Sequence, residues 1–136
     1  MKIFYFVLGI SVFAFLISLA SYYVNNKIIE KQVFEASMTI KDYAVAGFDM
    51  NDSALTFGTV GKGGTSTRRI RIENKHPFPI IVFIEANGDI KDFLNYEEYI
   101  RIEQGMTESA AISASAPYDA TEGLYSGSVE FLIKSA

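Results

Sequence analysis

Between Lys2 and Lys27 the chain carries no charged side chain. Residues 3–24 read IFYFVLGISVFAFLISLASYYV, a stretch of 22 residues. As an α-helix this covers about 33 Å, close to the hydrocarbon thickness of a bilayer, about 30 Å. Aromatic residues sit at both ends, Phe4, Tyr5 and Phe6 at the start and Tyr22 and Tyr23 at the finish. Tyrosine favours headgroup level because its ring is apolar and its hydroxyl seeks water, so Tyr5, Tyr22 and Tyr23 are the expected membrane-interface aromatics. Residues 1–24 are therefore expected to form a transmembrane signal-anchor helix that meets the lipid bilayer through residues 3–24. Ser18-Leu19-Ala20 also fits the small-x-small pattern that precedes a signal-peptide cut between Ala20 and Ser21. The length of the run, which continues through Tyr22-Tyr23-Val24, favours retention. Positive charges tie across the span, the amine and Lys2 before it and Lys27 and Lys31 after it. A two-residue head before an apolar run reads as a signal-anchor, so the expectation is a single-pass protein of the cell membrane with an extracytoplasmic C-terminal part.

Residues 25–36, NNKIIEKQVFEA, carry Ile28, Ile29 and Val33 near helical spacing, with Lys27 and Lys31 at i,i+4 beside Glu30. The expectation is that the helix continues as a short stalk, with a flexible linker as the alternative.

From residue 37 to 136 the pattern changes to period two. In 67–74, Ile70 and Ile72 point one way and Arg69, Arg71 and Glu73 the other. Ile100 and Ile102 alternate inward in 98–103, and Ala110, Ile112, Ala114 and Ala116 do so in 107–116. In 124–134 Tyr125, Val129, Phe131 and Ile133 share one face, opposite Ser126, Ser128, Glu130 and Lys134. Such alternation describes half-buried strands with one solvated face. Turn sequences recur about every ten residues: Gly61-Lys62-Gly63-Gly64, read as a hairpin loop, then Asn74-Lys75-His76-Pro77 and Gln104-Gly105-Met106. With strands at 55–60 and 79–86 and edge pieces near 38–41 and 46–50, the count is seven to eight. Short strands with regular turns give an all-β sandwich in place of a βαβ fold.

A resemblance follows from these residues. Leu55-Thr56-Phe57-Gly58-Thr59-Val60-Gly61-Lys62-Gly63, then a strand that ends in Asn74, resembles the opening of immunoglobulin-like domains of the ASH/MSP kind. Glu103-Gln104-Gly105-Met106-Thr107 is similar to their P-G-x-T/S turn, with Gln104 in place of proline. Pro117, Ala120 and Gly123-Leu124-Tyr125-Ser126-Gly127-Ser128-Val129 resemble their P-x-x-A-x-x-G-x-Y-x-G-x-V ending. The match covers about 80 residues. It implies an immunoglobulin-like sandwich, as in prokaryotic, notably archaeal, membrane-anchored surface proteins, and is nearly silent on function. Gly127 in mid-strand suggests a bulge or close packing across the sheet, and Tyr125 is expected in the core with its hydroxyl satisfied at the sandwich end.

Signals for chemistry are sparse. There is no cysteine, so neither a disulfide framework nor a thiolate zinc site can form. His76 is the single histidine and lies in a turn beside Pro77, without partners for a triad. Lys62 is not set in a phosphate loop, and 49–53 lacks the glycine and glutamate of a calcium loop. Asn51-Asp52-Ser53 is a glycosylation sequon that chance accounts for. Of the 16 acids only Glu30 precedes Gln32, and of the 12 bases Lys2, Lys27 and Lys31 do, so residues 32–136 hold 15 acids and 9 bases, a formal charge of −6. That balance argues against nucleic acid. No cofactor, metal or small-molecule substrate is indicated, and the chain is not expected to be an enzyme.

One segment favours interaction. Pro79-Ile80-Ile81-Val82-Phe83-Ile84 is apolar on both faces. Ile80, Val82 and Ile84 can fill the core, leaving Ile81 and Phe83 either covered, by Phe93-Leu94 or an N-terminal strand, or exposed as a candidate interaction surface. The functional expectation is a non-catalytic, membrane-anchored surface sandwich acting as a structural or protein-protein interaction module, its partner another envelope protein or a second copy. The alternatives are a pilin-like or archaellum-associated subunit, or an accessory subunit of a membrane complex.

Overall fold

The computed structural model describes residues 1–25, 27–42 and 54–136. The edge strand expected near 46–50, the polar turn at 49–53 and the Asn51 sequon lie outside the described residues.

Helix α1, Lys2–Asn25, is exposed over residues 2–24 and makes no extensive contact with another described element. Over Lys2–Val24 it is long and apolar enough to cross a membrane, and none of its apolar stretch is buried in the protein. Apolar all round and without a protein face to cover it, it suits a lipid surrounding.

Among the described residues eight strands follow in two sheets: β1 Ile28–Lys41, β2 Ala54–Gly61, β3 Thr65–Glu73, β4 Ile80–Gly88, β5 Leu94–Tyr96, β6 Tyr99–Ile102, β7 Thr107–Ser115 and β8 Gly123–Ser135. The larger sheet has the order β2-β1-β8-β4-β6 and the smaller β3-β7-β5. Their inner faces supply one core, with Met38 and Ile40 from β1, Val82 and Ile84 from β4, Ile112 from β7 and Val129 and Phe131 from β8 all buried. The inward sets expected on β4 and β7 are buried, as are Val129, Phe131 and Ile133 of β8 and Ile102 of β6, whereas Tyr125, Ile100 and, on the rim strand β3, Ile70 and Ile72 are half-buried. The result is an all-β sandwich with an N-terminal apolar helix.

The expected helical stalk is corrected. Residues 28–36 belong to a 14-residue strand that pairs antiparallel with β8, from Ile28 opposite Lys134 to Ala36 opposite Gly127. The piece expected at an edge, 38–41, is the end of this same strand, which lies inside the sheet between β8 and, in parallel, β2. Helical spacing in 27–33 is overridden because β8 offers a ladder along the whole of β1.

The hairpin expected at 61–64 is also corrected. Strands β2 and β3 lie in different sheets, and the turn arches between them, with Gly63 N–H donating to Ala116 O and Ala116 N–H to Gly64 O. The same holds for each later connection, so no two consecutive described strands form an antiparallel hairpin. A 3-10 turn, Asp89–Phe93, leads from β4 into β5 and buries Ile90.

Gly127 has the close approach its sequence position suggested. It pairs with Gly88 on β4 and Ala36 on β1. A Cβ there would run into the Asn87 carbonyl oxygen and stand 3.0 Å from Ile90 Cγ2. Tyr125 packs its ring on Phe93 at 4.6 Å between centroids and donates its hydroxyl to Thr121 O at 2.7 Å.

Candidate interaction surface

The pairing register lines up the outer face of the larger sheet in rows. Ile81 and Phe83 alternate with the buried Ile80, Val82 and Ile84 and so face outward, both half-buried. Phe83 stands opposite Leu132 on β8 and Tyr99 on β6, and Leu132 in turn opposite Lys31 on β1. The Phe83 and Tyr99 rings meet at 6.3 Å, and Lys134 Nζ lies 5.0 Å from the centre of the Phe83 ring. Tyr99 remains 62% exposed. The cover expected from Phe93-Leu94 does not occur, since both pack against the core on the other side of the sheet. The apolar centre is thus Leu132, Phe83, Ile81 and Tyr99, with exposed Val33 beside it.

Charge is sorted along the strands around that centre. One flanking row is Lys134-Ile81-Arg101, and the other places Glu130 opposite Glu85. Lys31 Nζ reaches Glu130 Oε1 at 3.3 Å. Arg101 Nε donates to Glu103 Oε1 at 2.8 Å. The outer face of the smaller sheet is different in kind: Thr65 meets Ser115 at 3.0 Å and Thr67 meets Ser113 at 2.8 Å, hydroxyl to hydroxyl.

Sheet edges are partly occupied by side chains. Arg68 Nε donates to the Thr56 carbonyl of β2 at 2.8 Å. On β4, past the end of β6, the Ala86 N–H donates to the Tyr96 hydroxyl at 3.1 Å. Blunting of this kind disfavours strand addition and leaves the broad outer face as the apolar surface on offer.

Two clusters hold the ends of the sandwich. At the end nearest α1, Asn74 is 1% exposed. Its Nδ2 donates to the carbonyls of Phe78, Ile102 and Glu103 at 2.9, 3.1 and 3.2 Å, and its Oδ1 accepts the His76 N–H at 3.0 Å. Its main chain completes the tie, N–H to Met106 O and C=O from Gly105 N–H. His76 itself stacks on Phe78, 5.3 Å between centroids and 18° between planes. At the far end Asp42 pairs with Lys62 at 3.0 Å, and the Asp42 N–H donates to Glu122 Oε1. The hydrogen bond from Lys62 is the main cause that holds the Asp42 carboxyl below its ordinary pKa, with the neighbouring Glu122 carboxyl second, and the hydrogen bond to Asp42 raises that of Lys62.

Of the residues singled out from sequence, Ile81 and Phe83 come together on one face, while Tyr5, Tyr22 and Tyr23 are exposed near the two ends of α1. Leu132, Tyr99 and Val33 complete the surface and were missed. Leu132 left a signal, as the apolar exception in the outward alternation Ser128, Glu130, Lys134. Comparison with protein-family models, with curated proteins and with solved structures returned no match.

Proposed function

We propose that this chain is a non-catalytic, single-pass membrane protein whose immunoglobulin-like sandwich, of the ASH/MSP kind, acts outside the cytoplasm as a protein-protein interaction module. The observation that carries the reading is the Leu132-Phe83-Tyr99 row. It is an apolar strip across three strands on a solvated sheet face, carried by a domain joined directly to an apolar helix. Contiguous apolar surface bordered by charge is what protein partners bury. The partner is another envelope protein or a second copy. The Tyr125 hydroxyl bond to Thr121 O, four residues upstream, is of the kind that pins sandwich ends, and supports the immunoglobulin-like assignment.

A photo-crosslinking side chain in place of Tyr99, in native membranes, tests it. Capture of a defined protein at Tyr99, and none from Ser109 on the other outer face, is expected. Equal labelling from both positions would sink the reading. The pilin-like or archaellum-associated reading shares the architecture of apolar helix plus sandwich head, and filaments seen on cells by electron microscopy would favour it.

A further inference from the structure

Asn25, the last residue of α1, and Ile28, the first of β1, are three peptide steps apart. At 3.8 Å per step their Cα atoms stand at most about 11 Å apart. A headgroup layer is about 5–8 Å thick. With residues 28–36 taken into the sheet, no stalk remains to carry the sandwich clear of a bilayer that holds α1.

What faces that bilayer is set by register. Ile28 stands opposite Lys134, and Ile80 opposite both Ser135 and Ile102, so the start of β1, the end of β8, the start of β4 and the end of β6 share one end of the sheet. The turns 74–79 and 103–106 leave from that end and are locked to each other through Asn74. Met106, at the tip of the second turn, is 57% exposed, and Ile28 and Ile29 beside the helix are 45% and 38% exposed. These are apolar side chains at the place where an amphipathic surface meets lipid.

The charges fit the same neighbour. Three of the acids at this end have partners: Glu103 takes Arg101, Glu73 takes Lys75 at 3.9 Å, and Glu30 accepts from Gln32 at 2.8 Å, and Glu108, opposite Ile72, is exposed beside them. Lys134 and Arg101 lie in the row nearest this end, and Glu130 and Glu85 lie farther up the strands. With three of the basal acids held by partners and Glu130 and Glu85 set back, Lys27 and Lys134 are the cations placed to meet a layer of phosphates.

We propose that the basal end of the sandwich is a lipid-docking surface, with Met106, Ile28 and Ile29 at headgroup level and Lys27 and Lys134 meeting headgroup phosphates. The sandwich then stands on the bilayer and presents the Leu132-Phe83-Tyr99 row at a fixed height. This rests on α1 being a retained anchor, and the test separates the two.

The chain has no tryptophan, so one introduced tryptophan reports without background. Three full-length single-tryptophan variants are reconstituted in phosphatidylcholine-phosphatidylglycerol vesicles: Phe13→Trp in mid-span, Met106→Trp at the base, and Tyr118→Trp, which replaces an exposed tyrosine at the far end. Lipids brominated deep in the acyl chain should quench Phe13→Trp. Lipids with a headgroup nitroxide should remove most of the emission of Met106→Trp and leave that of Tyr118→Trp intact. If Phe13→Trp is quenched while Met106→Trp behaves like Tyr118→Trp, the anchor stands and the docking proposal falls. If Met106→Trp is shielded from aqueous iodide but not quenched by the headgroup nitroxide, protein covers the base, a second copy included, and the proposal falls again. If Phe13→Trp is not quenched, the anchor reading fails first and takes the proposal with it. Met106 and Tyr118 are surface positions, and an unchanged thermal unfolding midpoint for each variant confirms the fold.

Discussion

The side-chain amide of Asn74 donates to the main-chain carbonyl of Ile102 at 3.1 Å, joining the end of a strand in one sheet to the end of a strand in the other. The same amide reaches Phe78 and Glu103, so one NH2 group ties carbonyls of two irregular turns together, the Glu103 oxygen accepting from Met106 N–H as well. Asn74→Ala is expected to destabilise the sandwich by about 2–4 kcal/mol, the cost of stranding buried acceptors. Asn74→Asp is expected to be at least as damaging near neutral pH, since a carboxylate cannot donate to carbonyls. Denaturant unfolding of both variants checks this, and a loss under about 0.5 kcal/mol for Asn74→Ala would mean that water replaces the amide.

At Gly127 the backbone of β8 passes so near Asn87 that a single methyl group has no room. Gly127→Ala should cost about 1–3 kcal/mol through displacement of β4 or of Ile90. Gly9, in α1, has open space around it, and Gly9→Ala should leave the unfolding midpoint of the sandwich unchanged. The pair of midpoints tests whether the crowding is specific.

The boundary of the folding unit makes a third prediction. A fragment starting at Ser37 would lose the first nine residues of β1, including Phe34, whose ring meets Phe131 edge-on at 5.3 Å. Residues 27–136 expressed alone should be soluble and unfold cooperatively. Residues 37–136 should be weaker, with about 2 kcal/mol lost from the Phe34 contact alone, or should aggregate through the bared edge of β8. Equal stability of the two fragments would show that 28–36 adds nothing to the sheet.

Asp42 and Lys62 set a pH dependence at the far end. The Asp42 pKa is lowered on folding, so its contribution is present above the unfolded carboxyl pKa and is lost as pH falls through the folded value. The Lys62 pKa is raised, so its contribution is present below the unfolded amine pKa and is lost as pH rises through the folded one. Asp42 is solvent-exposed and Lys62 half-buried, so added salt should weaken the pair. In an NMR titration the Asp42 carboxyl should show its midpoint below that of an ordinary aspartate, and Lys62→Gln should move it upward.

The strands most readable from sequence are those with one solvated face. Alternation in β7 and β8 names the inward set, buried except for the half-buried Tyr125, because water on one side and core on the other impose period two. Strand β1 was hidden for the opposite reason. Ile28, Ile29 and Val33 all lie on exposed strand positions, so no buried alternation marks 28–33, and the local spacing of Lys27 and Lys31 imitates a helix. What makes it a strand is β8, about a hundred residues away, and that pairing leaves no local trace. The surface was legible in the same partial way. Ile81 and Phe83 stand out in a segment apolar on both faces, but Leu132 and Tyr99 join them only once the register of β4 against β8 and β6 is known.

The absence of hairpins among the described strands has a bearing on biosynthesis. Of the described strands β1 leaves the ribosome first, yet its long ladder partner is the last of them made, with Ile28 opposite Lys134 and Ile40 opposite Gly123. At about 5–20 residues per second, the 106 residues from Ile28 to Lys134 take about 5–20 s to synthesise. Throughout that interval β1 has no β8 to pair with, and β3, β4 and β5 likewise await partners made later. The nascent chain therefore spends seconds with open strand edges, which is the window in which a holdase or the lipid surface itself would have to keep copies from pairing with one another.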